Sequence, residues 1–401
     1  MGDKELMRFY SKTITDVENE VYVDEWSLSS SDLNAGEGWR IEKRRLRGGP
    51  SDGVDVITVD NGFLSFTVVP TRGMSIWKGE CQGFPIGWRS PVRHPVNPFF
   101  LNLEERRGLG WLRGFNEWIV RCGLESFGAS GIDVIRDNMG NEIEVLLPLH
   151  GRIANTPASL VRVKVGLDPP YELGVEGVIY ESSMFGPNLK LKTSIVTTPG
   201  SRTIKILDVI ENLRGTPDEM QILYHCNYGK PLLEEGAQFL APIKRVAPRD
   251  GEAAKDIDSF NIIGPPERGF VERVYFMELL GDMEGYTETM LVNKGLEKAV
   301  SHRFSVKSLP FFTFWKNTAA EEDGYVVGLE PGTGFPNARS FERKHGRVIK
   351  LGPGEKYNVE LYISLFLGRD EVEEAIGRIK AIGGCAEPMI HREPIEEFSQ
   401  I

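Results

Sequence analysis

Leu160-Val161-Arg162-Val163-Lys164-Val165 runs through apolar and charged side chains in near alternation. Successive side chains of a strand point to opposite faces. The pattern therefore predicts a strand with one face in a core and the other in water. The same period of two governs most of the chain. Segments 56–59, 63–69, 189–196 and 203–210 read this way, as do 270–280, 287–292, 299–306, 325–329 and 357–366. Turn formers lie between them, among them Asp60-Asn61-Gly62, Pro199-Gly200-Ser201 and Pro353-Gly354-Glu355. The 44 glycines and 24 prolines are spread through the chain, which suits many turns rather than one disordered linker. One helix is predicted, over 370–382. It places Val372, Ile376, Ile379 and Ile382 on one face, with Asp370 as N-cap and Gly383-Gly384 as the stop. Many strands, one terminal helix and no βαβ alternation predict an all-β sandwich.

No linker divides the 401 residues, and large sandwiches often exceed the usual domain size. The expected organisation is a peripheral N-terminal arm at 1–40, a sandwich domain at 41–384 and a C-terminal tail at 385–401. Residues 95–127, with Trp111, Phe115 and Trp118, read as an irregular insertion. The net charge of -11 repels polyanions, so neither nucleic acid nor an anionic membrane is an expected partner. A small-molecule ligand fits better. Cys81, Cys122, Cys226 and Cys385 are widely spaced, with no CxxC and no zinc-type spacing, and read as reduced thiols. The polar start of the chain has no apolar signal region, and no stretch approaches a membrane span. A cytoplasmic location is expected.

Three polar clusters interrupt apolar strands. Leu149-His150-Gly151-Arg152-Ile153-Ala154-Asn155 follows an apolar run and sets His150 and Arg152 on a donor-rich rim, which sugar hydroxyls need. A solvated turn would look the same. Tyr224-His225-Cys226-Asn227-Tyr228-Gly229 ends another strand, and alternation puts His225 and Asn227 on one face. A histidine near neutrality is a natural proton carrier, although a core histidine bonded to backbone gives the same pattern. Gly328-Leu329-Glu330-Pro331 ends a third strand with a glutamate whose pKa would rise in a cleft. Arg72, Lys316, Trp88 and Trp315 supply further donors and flat faces, each of which also fits a structural role. The chain has no P-loop, no dinucleotide fingerprint, no GxSxG elbow and no HExxH.

Order and setting of the three clusters resemble the aldose 1-epimerase (galactose mutarotase) superfamily. The likeness rests on His150-Gly151, on His225 with Asn227 and Gly229, and on Leu329-Glu330-Pro331, followed by Leu351-Gly352-Pro353-Gly354-Glu355. The chain is also similar to a bacterial aldose 1-epimerase-like branch. There the matching elements are Pro70-Thr71-Arg72-Gly73-Met74, the Arg121-Cys122-Gly123-Leu124 element and the 150–155 element. The likeness covers roughly residues 50–370, the span of one large domain. It implies a galactose mutarotase-like β-supersandwich with a C-terminal helix. It also implies a general acid in His225, a general base in Glu330, and substrate contacts from His150, Arg152, Arg72, Asn227 and Lys316. For the family's late sugar-binding aspartate, Glu272 and Asp282 are the candidates. No cofactor and no metal are implied, since both steps of mutarotation are proton transfers.

Three functions remain open on the sequence. The first is aldose 1-epimerase-like chemistry on a monosaccharide or sugar derivative. A second is isomerisation or hydrolytic ring opening of a cyclic keto-sugar or inositol-derived ketone, which the donors Arg72, Arg152 and Lys316 would suit by stabilising an oxyanion. The third is non-catalytic carbohydrate binding, which does not require a His/Glu pair.

Overall fold

In the computed structural model, residues 8–400 are described, so residues 1–7 of the expected arm and residue 401 of the tail lie outside the described residues. Two large sheets pack face to face around one apolar core. The first has ten strands. It runs from Gln238–Leu240 through Tyr286–Val292, Lys298–Ser305, Lys356–Leu367, Thr203–Asn212, Asn188–Thr197, Leu173–Ser182 and Leu160–Gly166 to Phe9–Asp16 and Val21–Tyr22. The second runs from Met389–Ile390 and Ile243–Pro248 through Arg273–Leu279, Phe311–Asn317, Val326–Gly332, Asp218–Tyr228 and Ile119–Leu124. It continues to Ser75–Cys81, Leu64–Val69, Asp55–Asp60, Arg40–Arg45 and Trp26–Ser29. Neighbours are antiparallel, apart from the short parallel pairing of Met389–Ile390 with Ile243–Pro248. This is the expected all-β supersandwich, and the predicted strands recur with ends moved by a few residues.

The ends of the chain differ from the expected arm and tail. Phe9–Asp16 pairs with Leu160–Gly166, and Ile14, Leu28 and Trp39 are buried in the main core. Phe398 is buried against Phe335. Both ends thus belong to the sandwich. Their sequences look polar and weakly periodic because edge strands pair on one side and are half covered. The terminal helix spans Arg369–Gly383 and lays Val372, Ala375 and Ile379 on Met290 and Val292 of the ten-stranded sheet. Its N-cap is Gly368, with Asp370 and Glu371 in the first turn, where carboxylates complement the helix dipole. Among the described residues no helix is long and apolar enough to cross a membrane.

The two sheets bury their strands differently. Thr203–Asn212 alternates strictly between buried and half-exposed residues, so the outer face of its sheet meets water. Ile119–Leu124 and Val326–Gly332 are buried at every residue, and Asp218–Tyr228 at all but its first two. Their outer face is covered by residues 95–118, whose Trp111 and Phe115 pack on Val120, Cys122 and Leu223. That covered face is where a site can be both polar and dry.

Polar ties cross the core behind the same strands. Arg121 Nε and Nη2 donate to the Asp208 carboxylate of the opposite sheet at 2.5 and 3.0 Å, and Tyr224 Oη donates to it at 2.7 Å. Tyr228 Oη lies 2.6 Å from His302 Nε2. Burial depresses the His302 pKa to about 3 from an ordinary 6.5. The unfolded chain therefore binds a proton on His302 below about pH 6.5 that the folded chain refuses until about pH 3. Stability from this residue is complete above that window and falls through it on acidification, by about 1.4 kcal/mol per pH unit at most. Urea titrations between pH 5 and 6 should show His302→Gln losing about one proton's worth of the wild-type slope. Equal slopes in the two proteins would mean that His302 is not held neutral.

Candidate active site

Register builds the site. In the pairing of Asp218–Tyr228 with Val326–Gly332, Leu223 meets Gly332 and Cys226 meets Leu329, which sets His225 across from Glu330. Phe311–Asn317 pairs with the other edge of Val326–Gly332, so Thr313 lies opposite Glu330 and Trp315 opposite Gly328. Val274 lies beside Trp315 on the next strand. Period-two alternation sends His225, Glu330, Gly328, Thr313 and Trp315 to the covered face, while Tyr224, Cys226 and Tyr228 enter the main core.

His150 arrives from a loop rather than a strand. Its φ is +58°, and Gly151 follows at +72°. A Cβ on Gly151 would lie 2.1 Å from Ser126 O and 2.4 Å from Gly123 O, so only glycine lets the loop approach this closely. Gly123 N donates to His150 O, Arg152 N donates to Gly123 O, and His150 N donates to Gly128 O. The loop is thereby stitched to the end of Ile119–Leu124. The ring of His150 lies 5.4 Å from that of His225 and 4.5 Å from that of Trp111, centroid to centroid.

These residues line a cavity of about 300 Å³ together with Phe115, Leu109, Leu149, Arg249 and Glu272. The volume is at the small end of ligand sites. His225 Nε2 is 3.2 Å from Glu330 Oε1. Burial pushes the Glu330 carboxyl well above its usual range, and nearby Glu272 adds to the rise. Burial also pulls His225 well below 6.5, helped by His150. His150 itself falls to about 4, again through burial. Burial thus disfavours charge on all three groups. Among the described residues no group hydrogen-bonds His150 Nδ1, His225 Nδ1, Glu330 Oε1, Thr313 Oγ1 or Trp111 Nε1, all of them buried. Buried polar atoms are normally satisfied, so five orphans around one cavity mark it as a place for a polar ligand.

Four sequence-based substrate contacts are not brought to the cavity. Arg72 is fully buried and donates to Glu117 at 2.6 Å, to Asn155 at 2.6 Å and to the carbonyls of Val96 and Gly114. Asn227 donates to the carbonyls of Glu117 and His225. Lys316 follows Trp315 and so faces the opposite way, where it donates to Asp256 and to the carbonyls of Phe260 and Ile262. Arg152 lies on the outside of the His150 loop, 3.3 Å from Glu104. Asp282 caps the turn before Tyr286, away from the cavity.

Glu272, by contrast, does line it. Glu272 accepts from Trp315 Nε1 at 2.7 Å and from Arg249 Nη1 at 2.9 Å. Arg249 went unseen in the sequence because Pro248-Arg249-Asp250 reads as an ordinary polar turn. Among the described residues no group of three or more His, Cys, Asp and Glu side chains is placed to hold a metal ion. Burial raises the thiols of Cys122 and Cys226 well above 9, leaving both inert as nucleophiles.

Comparison with solved structures returns the same architecture. A Klebsiella pneumoniae protein provisionally named an aldose 1-epimerase is 36% identical and superposes with a TM-score of 0.91, over 97% of this chain and 99% of its own. A galactose mutarotase-like protein from Clostridium acetobutylicum (14% identity, TM-score 0.53, 82% and 98% covered) shares the fold. So does a galactose mutarotase related enzyme from Lactobacillus acidophilus (12%, 0.51, 79% and 99%). No curated protein gives a significant match. Residues 51–365 match the family described as Domain of unknown function (DUF4432), and the chain is a member of that family, carried on a galactose mutarotase-like fold.

Proposed function

We propose that this protein catalyses acid/base proton transfer on a cyclic, polyhydroxylated substrate, with interconversion of sugar anomers as the reaction. The observation that carries the reading is the His225–Glu330 pair, 3.2 Å apart in a cavity where His150 Nδ1, Thr313 Oγ1 and Trp111 Nε1 are buried without a hydrogen-bond partner among the described residues. Non-catalytic binding would need the orphans but not an uncharged acid and an uncharged base in contact. The provisional name of the Klebsiella pneumoniae relative agrees with the reading.

In this mechanism one member of the pair takes the proton of the anomeric hydroxyl while the other protonates the ring oxygen. The ring opens, the C1 carbonyl rotates, and closure from the other face gives the second anomer. His150 hydrogen-bonds the ring oxygen or a neighbouring hydroxyl, and Trp111, Phe115 and Trp315 offer flat faces to C–H groups. Two assignments of acid and base fit the pair. His225 as acid and Glu330 as base is the charged assignment. Burial favours a neutral imidazole that accepts and a carboxylic acid that donates. Both assignments carry one mobile proton.

The cavity also bears on the substrate. With Arg72, Arg152 and Lys316 elsewhere, the argument for an oxyanion or an acidic ring loses its donors. Arg249 is the cation that remains, and Glu272 and Asp250 both engage it. A neutral sugar suits this balance.

Three outcomes test the reading. Polarimetry on freshly dissolved aldoses, extended to cyclic polyol-derived ketones, should find catalysis in the wild type. Glu330→Gln and His225→Asn should each lower it about 10²–10⁴-fold. The double variant should lose less than the product, because the pair acts as a unit. Full activity in Glu330→Gln would remove the carboxyl from the mechanism. On the acid side the pH profile of kcat/KM should decline toward about pH 4, where His150 takes a proton and puts a cation beside His225. A histidine-like inflection near 6.5 that persists in the residual activity of Glu330→Gln would contradict the burial of His225. Finally, a Cβ at position 328 would sit 2.5 Å from Glu330 Oε1 and 3.1 Å from His225 Cε1. Gly328→Ala should therefore stay folded by circular dichroism yet lose about 10²-fold in kcat/KM, since small misplacements of reacting groups cost that much.

A further inference from the structure

Behind the Trp88–Phe115 wall of the cavity lies a second concavity of about 370 Å³. It is lined by Trp77, Lys78, Trp88, Arg89, Arg93 and Asn116, among others. It continues into an outer groove of about 620 Å³ that shares Lys78, Trp88 and Arg89 and adds Arg44 and the outer carboxylates Asp60 and Glu80. The wall is real: the Phe115 and Trp88 rings meet tilted, centroids 4.9 Å apart, and Trp88 Nε1 donates to Glu117 O. The proton-transfer site is on the far side.

Charge here runs against the chain as a whole. The protein carries -11, yet the inner concavity is lined by three cations and no carboxylate. Arg89 and Arg93 have no ion-pair or hydrogen-bond partner among the described residues. Lys78 Nζ lies 4.7 Å from the ring centroid of Trp77. Solvated surface arginines alone would mean little. Asn116 is the independent observation. It is 3% exposed and lines the concavity, and neither its Oδ1 nor its Nδ2 has a hydrogen-bond partner among the described residues. Leaving both ends of a buried amide unmet is costly, so a ligand that meets them gains in proportion.

We infer that this concavity binds an anionic saccharide, a sugar bearing a phosphate or carboxylate, at a site distinct from the proton-transfer cavity. Trp77 and Trp88 present aromatic faces to the ring, the Asn116 amide offers one acceptor and two donors to hydroxyls, and Arg89, Arg93 and Lys78 take the anion. Neutral sugars would forgo the cations, and a bare anion would forgo the tryptophans and the amide.

The experiment is a calorimetric titration of the full chain at low salt with glucose 6-phosphate, glucuronate, glucose and inorganic phosphate. Saturable binding is expected for glucose 6-phosphate or glucuronate, at least about tenfold tighter than for glucose, and weakening as salt screens the cations. Whichever of the two binds more tightly identifies the anionic group. The doubly substituted Arg89→Glu, Arg93→Glu chain, altered only at exposed positions, should bind at least about tenfold more weakly. His225→Asn should bind as the wild type does, which separates this site from the proposed catalytic one. Three results would overturn the inference: no saturable binding by the wild type, undiminished binding by the arginine variant, or inorganic phosphate binding as tightly as glucose 6-phosphate.

Discussion

One buried ion pair holds the site's separate pieces in place. Arg72 Nε donates to Glu117 at 2.6 Å with both side chains almost fully enclosed. The remaining guanidinium donors go to Val96 O and Gly114 O in the covering segment and to Asn155 in the His150 loop. Glu117 returns the connection, since its second carboxylate oxygen accepts from Asn116 N and its backbone carbonyl accepts from Trp88 and Asn227. The segment that brings Trp111 and Phe115, the loop that brings His150 and the strand that brings His225 thus share one electrostatic centre. Such a pair adds little net stability against an apolar replacement, yet removing one partner strands a charge at a cost of about 3–5 kcal/mol. What it supplies is position.

The second condition is burial on both sides of one strand. Asp218–Tyr228 turns Tyr224 and Tyr228 toward Asp208 and His302 of the opposite sheet, and turns His225 toward the cavity. The tyrosines fix the strand's depth and rotation through hydrogen bonds across the core. A histidine on a half-exposed strand would titrate near neutrality. Here the covering segment removes water from the outer face as well, and the imidazole is held neutral. The apolar covering is therefore as much a part of the site's chemistry as the polar residues beneath it.

This division explains which features could be read from the sequence. The strands were legible because alternation is local, and the convergence of His150, His225 and Glu330 was legible through motif order. The substrate contacts were not. Arg72 and Lys316 carry the right chemistry for a sugar or an oxyanion, and only the tertiary structure shows their donors committed to Glu117, Asn155 and Asp256. Period two should have separated Lys316 from Trp315, but it could not say which of the two faces the cavity. Arg249 and Glu272 meet from the ends of neighbouring strands, so Arg249 had no signal at all and Glu272, inside the segment 270–280 that reads as a strand, only the weak one of a missing family aspartate. The ends of the chain carry a weaker pattern for a related reason: strands at a sheet edge pair on one side only.

The proximity of His225 and Glu330 has a consequence for reversible chemistry. In water a carboxyl near 4.5 and an imidazole near 6.5 would put the shared proton firmly on the imidazole, as an ion pair. Burial penalises that charge separation and moves both groups toward their neutral forms. The neutral placement is thereby favoured, with the proton on the carboxyl and the imidazole free to accept. A reversible proton transfer across one ring can use such a pair in both directions, because the partner that gives a proton in the opening step takes it back on closure, and the partner that takes one returns it. The apolar enclosure therefore sets which partner starts as donor, and the return path is the same path reversed.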